Sequence, residues 1–277
     1  MKTSVTKSSA AIALMAVSSM ANAAISNTRH NLGTMNPAGN GIDGGVGATS
    51  EICIFCHTPH GGATAAPVPL WNRVTTTATF QTYATLATGT LDGAEAGIGS
   101  ISIACLSCHD GTQAMDVVLN SPGFGTTGTV NGTLGINGWA DGHRMDGTNS
   151  QGANLAAELV YIATDLTNDH PISIQYGGGG LTTANLTTVA SGLKDPDFVI
   201  PVQTTNAAGD TIWYIDRNTD AVKQKTDLPL YTRTFGGADQ PTVECGSCHD
   251  PHVANPTFLR PLGGNAGSAV CLSCHTK

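Results

Sequence analysis

The sequence predicts a mostly irregular chain with short helices and one small β-hairpin. Charged residues make up 12% of the 277 residues, aromatic residues make up 5%, and glycine occurs 34 times. So few aromatic side chains supply only a thin core. The apolar content of 40% nevertheless differs from the charge-rich, apolar-poor composition of a disordered protein. We therefore expect a folded chain whose core needs apolar surface from another source.

Residues 1–23 have the features of a secretory signal peptide. Two lysines begin the segment, an apolar run covers residues 10–17, and Ala21 and Ala23 occupy the positions that a signal peptidase reads. No later stretch approaches the length of about 18 apolar residues that a membrane span needs. We expect an exported chain that begins at Ala24 and has no membrane span. The formal charge of −8 argues against nucleic-acid binding, which usually needs a basic face.

All eight cysteines fall in four C-x-x-C pairs, and a histidine follows each pair at once. This is the attachment signature of c-type haem, in which two cysteines form thioethers and the adjacent imidazole becomes the proximal iron ligand. A Cys₄ zinc site or disulfides would also use paired cysteines, but neither needs the histidines. Site I comprises Cys53, Cys56 and His57; site II, Cys105, Cys108 and His109; site III, Cys245, Cys248 and His249; site IV, Cys271, Cys274 and His275. The sequence therefore predicts four covalently bound c-type haems.

Five further histidines are candidates for the opposite, distal faces of the four irons. They are His30, His60, His143, His170 and His252. Only three methionines follow the signal segment, which is too few for four irons. Histidine on both faces also avoids the methionine thioether that raises haem potentials. We predict low-potential bis-histidine haems with His30, His60, His170 and His252 as distal ligands and His143 as the spare candidate.

Two of the distal candidates lie in an internal repeat. Residues 53–60 read C-x-x-C-H-T-P-H and residues 245–252 read C-x-x-C-H-D-P-H, and a plainer Cys-Leu-Ser-Cys-His site follows each. His60 and His252 come three residues after their own proximal histidines, and three residues reach about 10 Å at most. That is too short to pass around a macrocycle edge and return to its opposite face. We therefore expect each to bind a neighbouring haem, which would hold pairs of haems close together.

The sites divide the predicted domain, residues 24–277, into three parts. A first haem pair occupies 53–109, a haem-free insert occupies 110–244, and a second pair occupies 245–275. We expect short helices around the attachment sites. Packing around the four macrocycles would supply the buried apolar surface that aromatic residues do not, so the haems would serve as the core.

The insert carries three weaker signals. Apolar spacing predicts a short amphipathic helix over residues 154–166. Residues 211–216 and 221–225 flank a polar turn and predict a β-hairpin. Segments 121–152 and 177–192 are rich in glycine, threonine and asparagine and predict loops.

Four short segments are similar to those of a known cytochrome family. They are the RHNL run at 29–32, the CHTPH run ending at His60, the DHPI run at 169–172 and the CHDPH run ending at His252. With the exported start and the four sites, the chain resembles the tetrahaem extracellular cytochromes that polymerise into conductive filaments, the OmcE-like cytochrome nanowires of metal-reducing bacteria. The resemblance implies a mostly coil fold threaded by a continuous haem chain. It also implies identical protomers as partners, with one axial histidine donated by the next protomer.

The predicted function is electron conduction through bis-histidine haems at the cell surface or outside the cell. Its partners would be other periplasmic or outer-membrane cytochromes and extracellular electron acceptors. A monomeric periplasmic electron shuttle is the alternative. A multihaem reductase is less favoured, because it needs an iron with an open position and the histidines suffice to close all four. We predict that His30, the seventh residue of the mature chain, binds a haem of a neighbouring protomer, and a bond to the first haem pair of its own chain is the alternative.

Overall fold

The computed structural model describes residues 24–32, 51–86, 89, 91–113, 115, 118–120, 161–183, 193–255 and 257–276. The signal segment, the predicted loop at 121–152 and His143 lie outside these residues. Within the described part of the chain, no helix has the length and apolar character needed to cross a membrane.

A five-stranded antiparallel sheet lies in the second half of the chain. Its strands are β1 (Ile174–Gln175), β2 (Val202–Thr205), β3 (Thr211–Ile215), β4 (Leu228–Phe235) and β5 (Ala238–Val243), in the spatial order β1-β5-β4-β3-β2. Gly236 and Gly237 connect β4 to β5 with φ angles of 58° and 83°. Both lie in the left-handed region that a two-residue hairpin turn requires and that glycine adopts without steric cost.

The sheet is larger than the predicted hairpin, and the second strand of that hairpin is wrong. β3 covers most of the predicted first strand, but residues 221–225 form no strand, and β3 pairs with β4 and β2 instead. The Asp216 carboxylate accepts the backbone N–H groups of Thr219 (2.8 Å) and Ala221 (2.7 Å). These bonds form an ordered loop that delays the next strand until Leu228.

The helix predicted over residues 154–166 is wrong for the part that the structure describes. Residues 161–166 are irregular, and Ala163 has a φ of 65°. The N–H of Ile162 donates to the carbonyl of His109 (2.9 Å), and the N–H of Leu166 donates to the carbonyl of Gln81 (2.9 Å). Backbone N–H groups that would bond within a helix therefore donate to carbonyls far away in the sequence. Residues 154–160 lie outside the described residues.

Three short α-helices coincide with haem-attachment motifs. α1 (Ser102–His109) contains site II, α2 (Cys245–Cys248) contains the cysteines of site III, and α3 (Cys271–Cys274) contains those of site IV. Within the described residues, four 3₁₀ segments lie elsewhere, at Ala24–Asn27, Tyr83–Leu86, Tyr176–Gly178 and Ala266–Ser268. Of the predicted loop at 177–192, the described part begins in the third of these segments and continues as irregular chain to residue 183.

Buried apolar side chains form three clusters. The largest packs on the sheet and comprises Ile174, Tyr176, Leu181, Trp213, Ile215, Leu228, Leu230 and Val243. A second contains Phe55, Met115 and Val118, and a third contains Ala66, Trp71, Ile103 and Ala104. Cysteines of the attachment motifs pack against all three: Cys274 against the first, Cys56 and Cys108 against the second, and Cys56 also against the third. The side-chain clusters therefore lie directly beside the predicted haem sites.

Candidate haem-binding sites

One turn of helix or helix-like chain shapes each attachment motif. The histidine N–H donates to the carbonyl of the first cysteine at site I (2.8 Å), site III (3.0 Å) and site IV (2.9 Å). Site I is a turn, whereas site II lies within α1. Because residues four apart lie on the same face of a helix, this turn places the first cysteine and the histidine on one side. All eight cysteines are free.

Backbone carbonyls orient two of the predicted proximal imidazoles. His57 Nδ1–H donates to the Pro69 carbonyl at 2.8 Å, and His249 Nδ1–H donates to the Thr257 carbonyl at 2.9 Å. A bond to Nδ1–H fixes the tautomer and leaves Nε2 as the basic nitrogen, as in most metal-binding histidines. The Nε2 atoms of His57 and His249 are therefore the nitrogens suited to bind a metal.

Two pairs of imidazoles have the separation expected of axial ligands on one metal. The ring centroids of His57 and His252 lie 6.3 Å apart with 20° between the planes, and those of His30 and His109 lie 6.3 Å apart at 90°. An imidazole nitrogen binds a metal at about 2.0–2.1 Å, so two axial rings on one metal have centroids about 6 Å apart. In each pair, a predicted proximal histidine lies beside a predicted distal one.

His30 is half-buried beside site II of its own chain. Its ring lies 4.1 Å from that of Phe258. Burial and, next, the nearby His109 lower the pKa of His30 to about 4, so the ring is neutral, as a metal ligand must be. Among the described residues, its buried Nδ1 has no hydrogen-bond partner. This placement favours the intrachain assignment of His30 over donation to a neighbouring protomer.

His252 is held by the aspartate of its own CHDPH run. Its Nδ1 donates to Asp250 Oδ1 at 3.1 Å, and Arg260 lies 3.8 Å from the other carboxylate oxygen. Burial opposes ionisation of Asp250, but the His252 bond and Arg260 outweigh it and lower the pKa to about 2. A charged carboxylate therefore orients the ring that faces His57.

Attachment sites that follow one another in the sequence also have cysteines that lie close together in space. Burial raises the pKa of the Cys56 thiol to about 12, and the nearby Cys108 of site II adds to that rise. The thiol of Cys105, also in site II, lies beside Cys245 of site III, and each shifts the pKa of the other. Burial also raises the pKa of Cys248, in site III, to about 11, with a contribution from Cys271 of site IV.

The other two distal candidates among the described residues, His60 and His170, are not brought into such pairs. His60 and His170 are exposed, and His170 Nδ1–H donates to the Pro171 carbonyl at 2.9 Å. His143 lies outside the described residues. No described ring therefore faces His249 or His275 at the 6.3 Å separation found for the other two sites.

Several residues that support the sites could not be found from the sequence. The carbonyls of Pro69 and Thr257 act through the backbone, which carries no residue-specific signal. Arg73 is fully buried and donates to the carbonyls of Met115 (2.7 Å) and Ser107 (3.0 Å), tying the chain after site I to site II. Glu244 is a single acid before a C-x-x-C-H motif, and nothing in the sequence around it indicates that it is buried.

The comparison with known families gives one match, to the doubled CXXCH motif, over residues 240–277. This range holds sites III and IV, and sites I and II carry the same residue pattern before it. No curated protein shows significant similarity to the chain. The doubled motif indicates a c-type cytochrome-like protein that binds haem covalently, with electron transfer as the general role.

Proposed function

We propose that this chain is a tetrahaem cytochrome that conducts electrons outside the cell as a filament of identical protomers. The observation that carries the proposal is the 6.3 Å separation of two histidine pairs, His57 with His252 and His30 with His109. Haem supplies a reversible one-electron couple, and an iron closed by two histidines has no free position for a substrate. Electron transfer is therefore favoured over a reductase.

The distal ligands follow from these pairs. We assign His252 to site I and His30 to site II. His170 precedes Ser173 by three residues, and the Ser173 hydroxyl donates at 3.1 Å to Glu244, the residue before Cys245. Three residues reach about 10 Å, so His170 is the candidate for site III. His60 then remains for site IV, with His143 as the spare.

The order of the sites supports a continuous electron path. Neighbouring cysteines link site I to II, II to III and III to IV. The His57–His252 pair adds a link between sites I and III, because His252 lies three residues after His249. The chain's own residues therefore keep all four attachment points within one connected region.

Assembly is supported by exposed groups at sites I and IV. The His60 ring is exposed beside site I, while Leu272 of site IV is 53% exposed and Leu262 is 84% exposed. Only 12% of the residues in the chain are charged, so few charged side chains would lose their water when two copies pack together. We propose that His60 of one protomer binds the site IV iron of the next, so that assembly extends the electron path. The signal segment directs the protein out of the cell, where other cytochromes and extracellular acceptors would be its partners.

Electron microscopy of the extracellular fraction tests this function. Wild-type protein is expected to form filaments. H60A should give discrete particles with one haem per chain that binds CO, whereas H170A should lose an intrachain ligand and still assemble. Discrete wild-type particles at high concentration, with four low-spin haems, would instead establish a monomeric shuttle. A wild-type haem that binds nitrite would favour a reductase.

A further inference from the structure

Glu244 is a buried carboxylate on which three other segments converge. Its side chain is 0% exposed. It accepts hydrogen bonds from the hydroxyls of Ser102 (2.5 Å) and Ser173 (3.1 Å) and from Arg233 Nη1 (3.1 Å). A buried charge of this kind is strongly unfavourable without such partners. The sequence has brought together residues up to 142 positions apart to satisfy one side chain.

This cluster lies where the helices of sites II and III begin. Ser102 is the first residue of α1, and Glu244 caps α2 through a reciprocal bond with Ser247. The Ser102 hydroxyl donates to Glu244 and accepts the backbone N–H of Cys245 at 3.0 Å. One turn beyond Ser102, Cys105 lies beside Cys245, close enough for each thiol to shift the pKa of the other. The carboxylate thus fixes the first cysteine of each site relative to the other.

The same carboxylate acts electrostatically on the first cysteine of site III, where it raises the pKa of the Cys245 thiol against other effects that lower it. Burial raises the pKa of Glu244 above its ordinary value, while the Ser102 bond and the Arg233 guanidinium oppose that rise. A charge in a low-dielectric interior acts more strongly on its neighbours than one in water. Nearby charge is one of the properties through which a protein sets a haem potential. A negative group favours the oxidised, more positive state of an iron beside it and so lowers its potential.

We infer that Glu244 is a positioning residue that joins sites II and III, and that its charge lowers the potentials of the haems at these two sites. Sites II and III are the junction between the two dihaem halves of the chain, residues 53–109 and 245–275. The inference rests on the proposed electron path and adds a residue that sets its central step. The Ser102–Glu244 hydrogen bond links the two sites, and Arg233 is the positive partner of the Glu244 carboxylate.

The test is a redox titration of E244Q holoprotein monitored in the visible haem bands. Glutamine keeps the shape of the side chain and removes its charge. Two of the four midpoint potentials should rise, with the haem content and low-spin spectrum unchanged. D239N is the matched control, because Asp239 lies in β5, the strand that leads to Glu244, but is exposed. Its four potentials should equal those of the wild type.

Four unshifted potentials in E244Q, in protein that carries four low-spin haems, would overturn the electrostatic part of the inference. S102A tests the positioning part and provides a second route if E244Q does not mature. It removes the link while keeping the carboxylate and Arg233. The Soret circular dichroism couplet, which depends on the relative orientation of neighbouring haems, should change, and an unchanged couplet would overturn positioning. Fewer than four haems in the wild type would instead refute the proposed function.

Discussion

Replacing His252 with alanine should remove the distal ligand of one iron. That iron should be at site I and not at site III, the site that His252 follows in the sequence. The ring lies 6.3 Å from that of His57, and truncation at Cβ leaves no imidazole at that separation. His30, the other ring near this region, faces His109 at 6.3 Å and is occupied. One of four haems per chain should therefore become high-spin and bind one CO, while all four remain covalently attached.

Titration of reduced H252A with CO, followed in the Soret band, gives the number of open irons. The variant C53A/C56A/H252A identifies which iron opens, because it lacks the haem attached at site I. Three low-spin haems and no CO binding are expected from it. One remaining CO-binding haem would mean that His252 serves another site and that the ring separation has been misread. H30A is the matched comparison, and it should open one iron at site II with the site I haem unaffected.

Two further predictions concern the free energy of unfolding, measured with denaturant. L228A truncates a fully buried core side chain and should lower this free energy by about 2–5 kcal/mol. L262A, at a position 84% exposed, should change it by less than about 0.5 kcal/mol. Equal effects of the two substitutions would contradict the core assignment. Because burial raises the pKa of Glu244 from its ordinary 4.5, the folded state binds its proton more tightly than the unfolded state, and stability should fall as pH rises from about 4.5 through the raised pKa. E244Q should flatten that part of the pH profile, and an identical profile would contradict the shift.

The attachment motifs could be located from the sequence because covalent haem attachment requires fixed residues at fixed spacing. The axial pairs could not, since they join residues far apart in the chain. His252 and His57 are brought together by the tertiary fold, and the repeat indicated only that each CHxPH histidine serves another haem. The sequence indicated that His30 is a distal ligand but not which haem it binds. Nothing in its local sequence distinguishes an intrachain contact from one to a second protomer.

The sheet was underestimated for identifiable physical reasons. β4 begins with Leu228 followed by Pro229, and β5 contains Pro241, and proline within a run argues against a strand because it lacks a ladder N–H. β1 has only two residues, too few for a periodic signal. The apolar spacing at 161–166 suggested a helix because the sequence does not show that those N–H groups bond to His109 and Gln81.

The most direct test of the central claim is the intact mass of the exported protein, measured under denaturing conditions that retain only covalent groups. We expect a chain that begins at Ala24 and carries four haems, with all eight cysteines consumed as thioethers. A haem-free chain with titratable thiols, disulfides or bound zinc would refute covalent haem attachment and with it the proposed function.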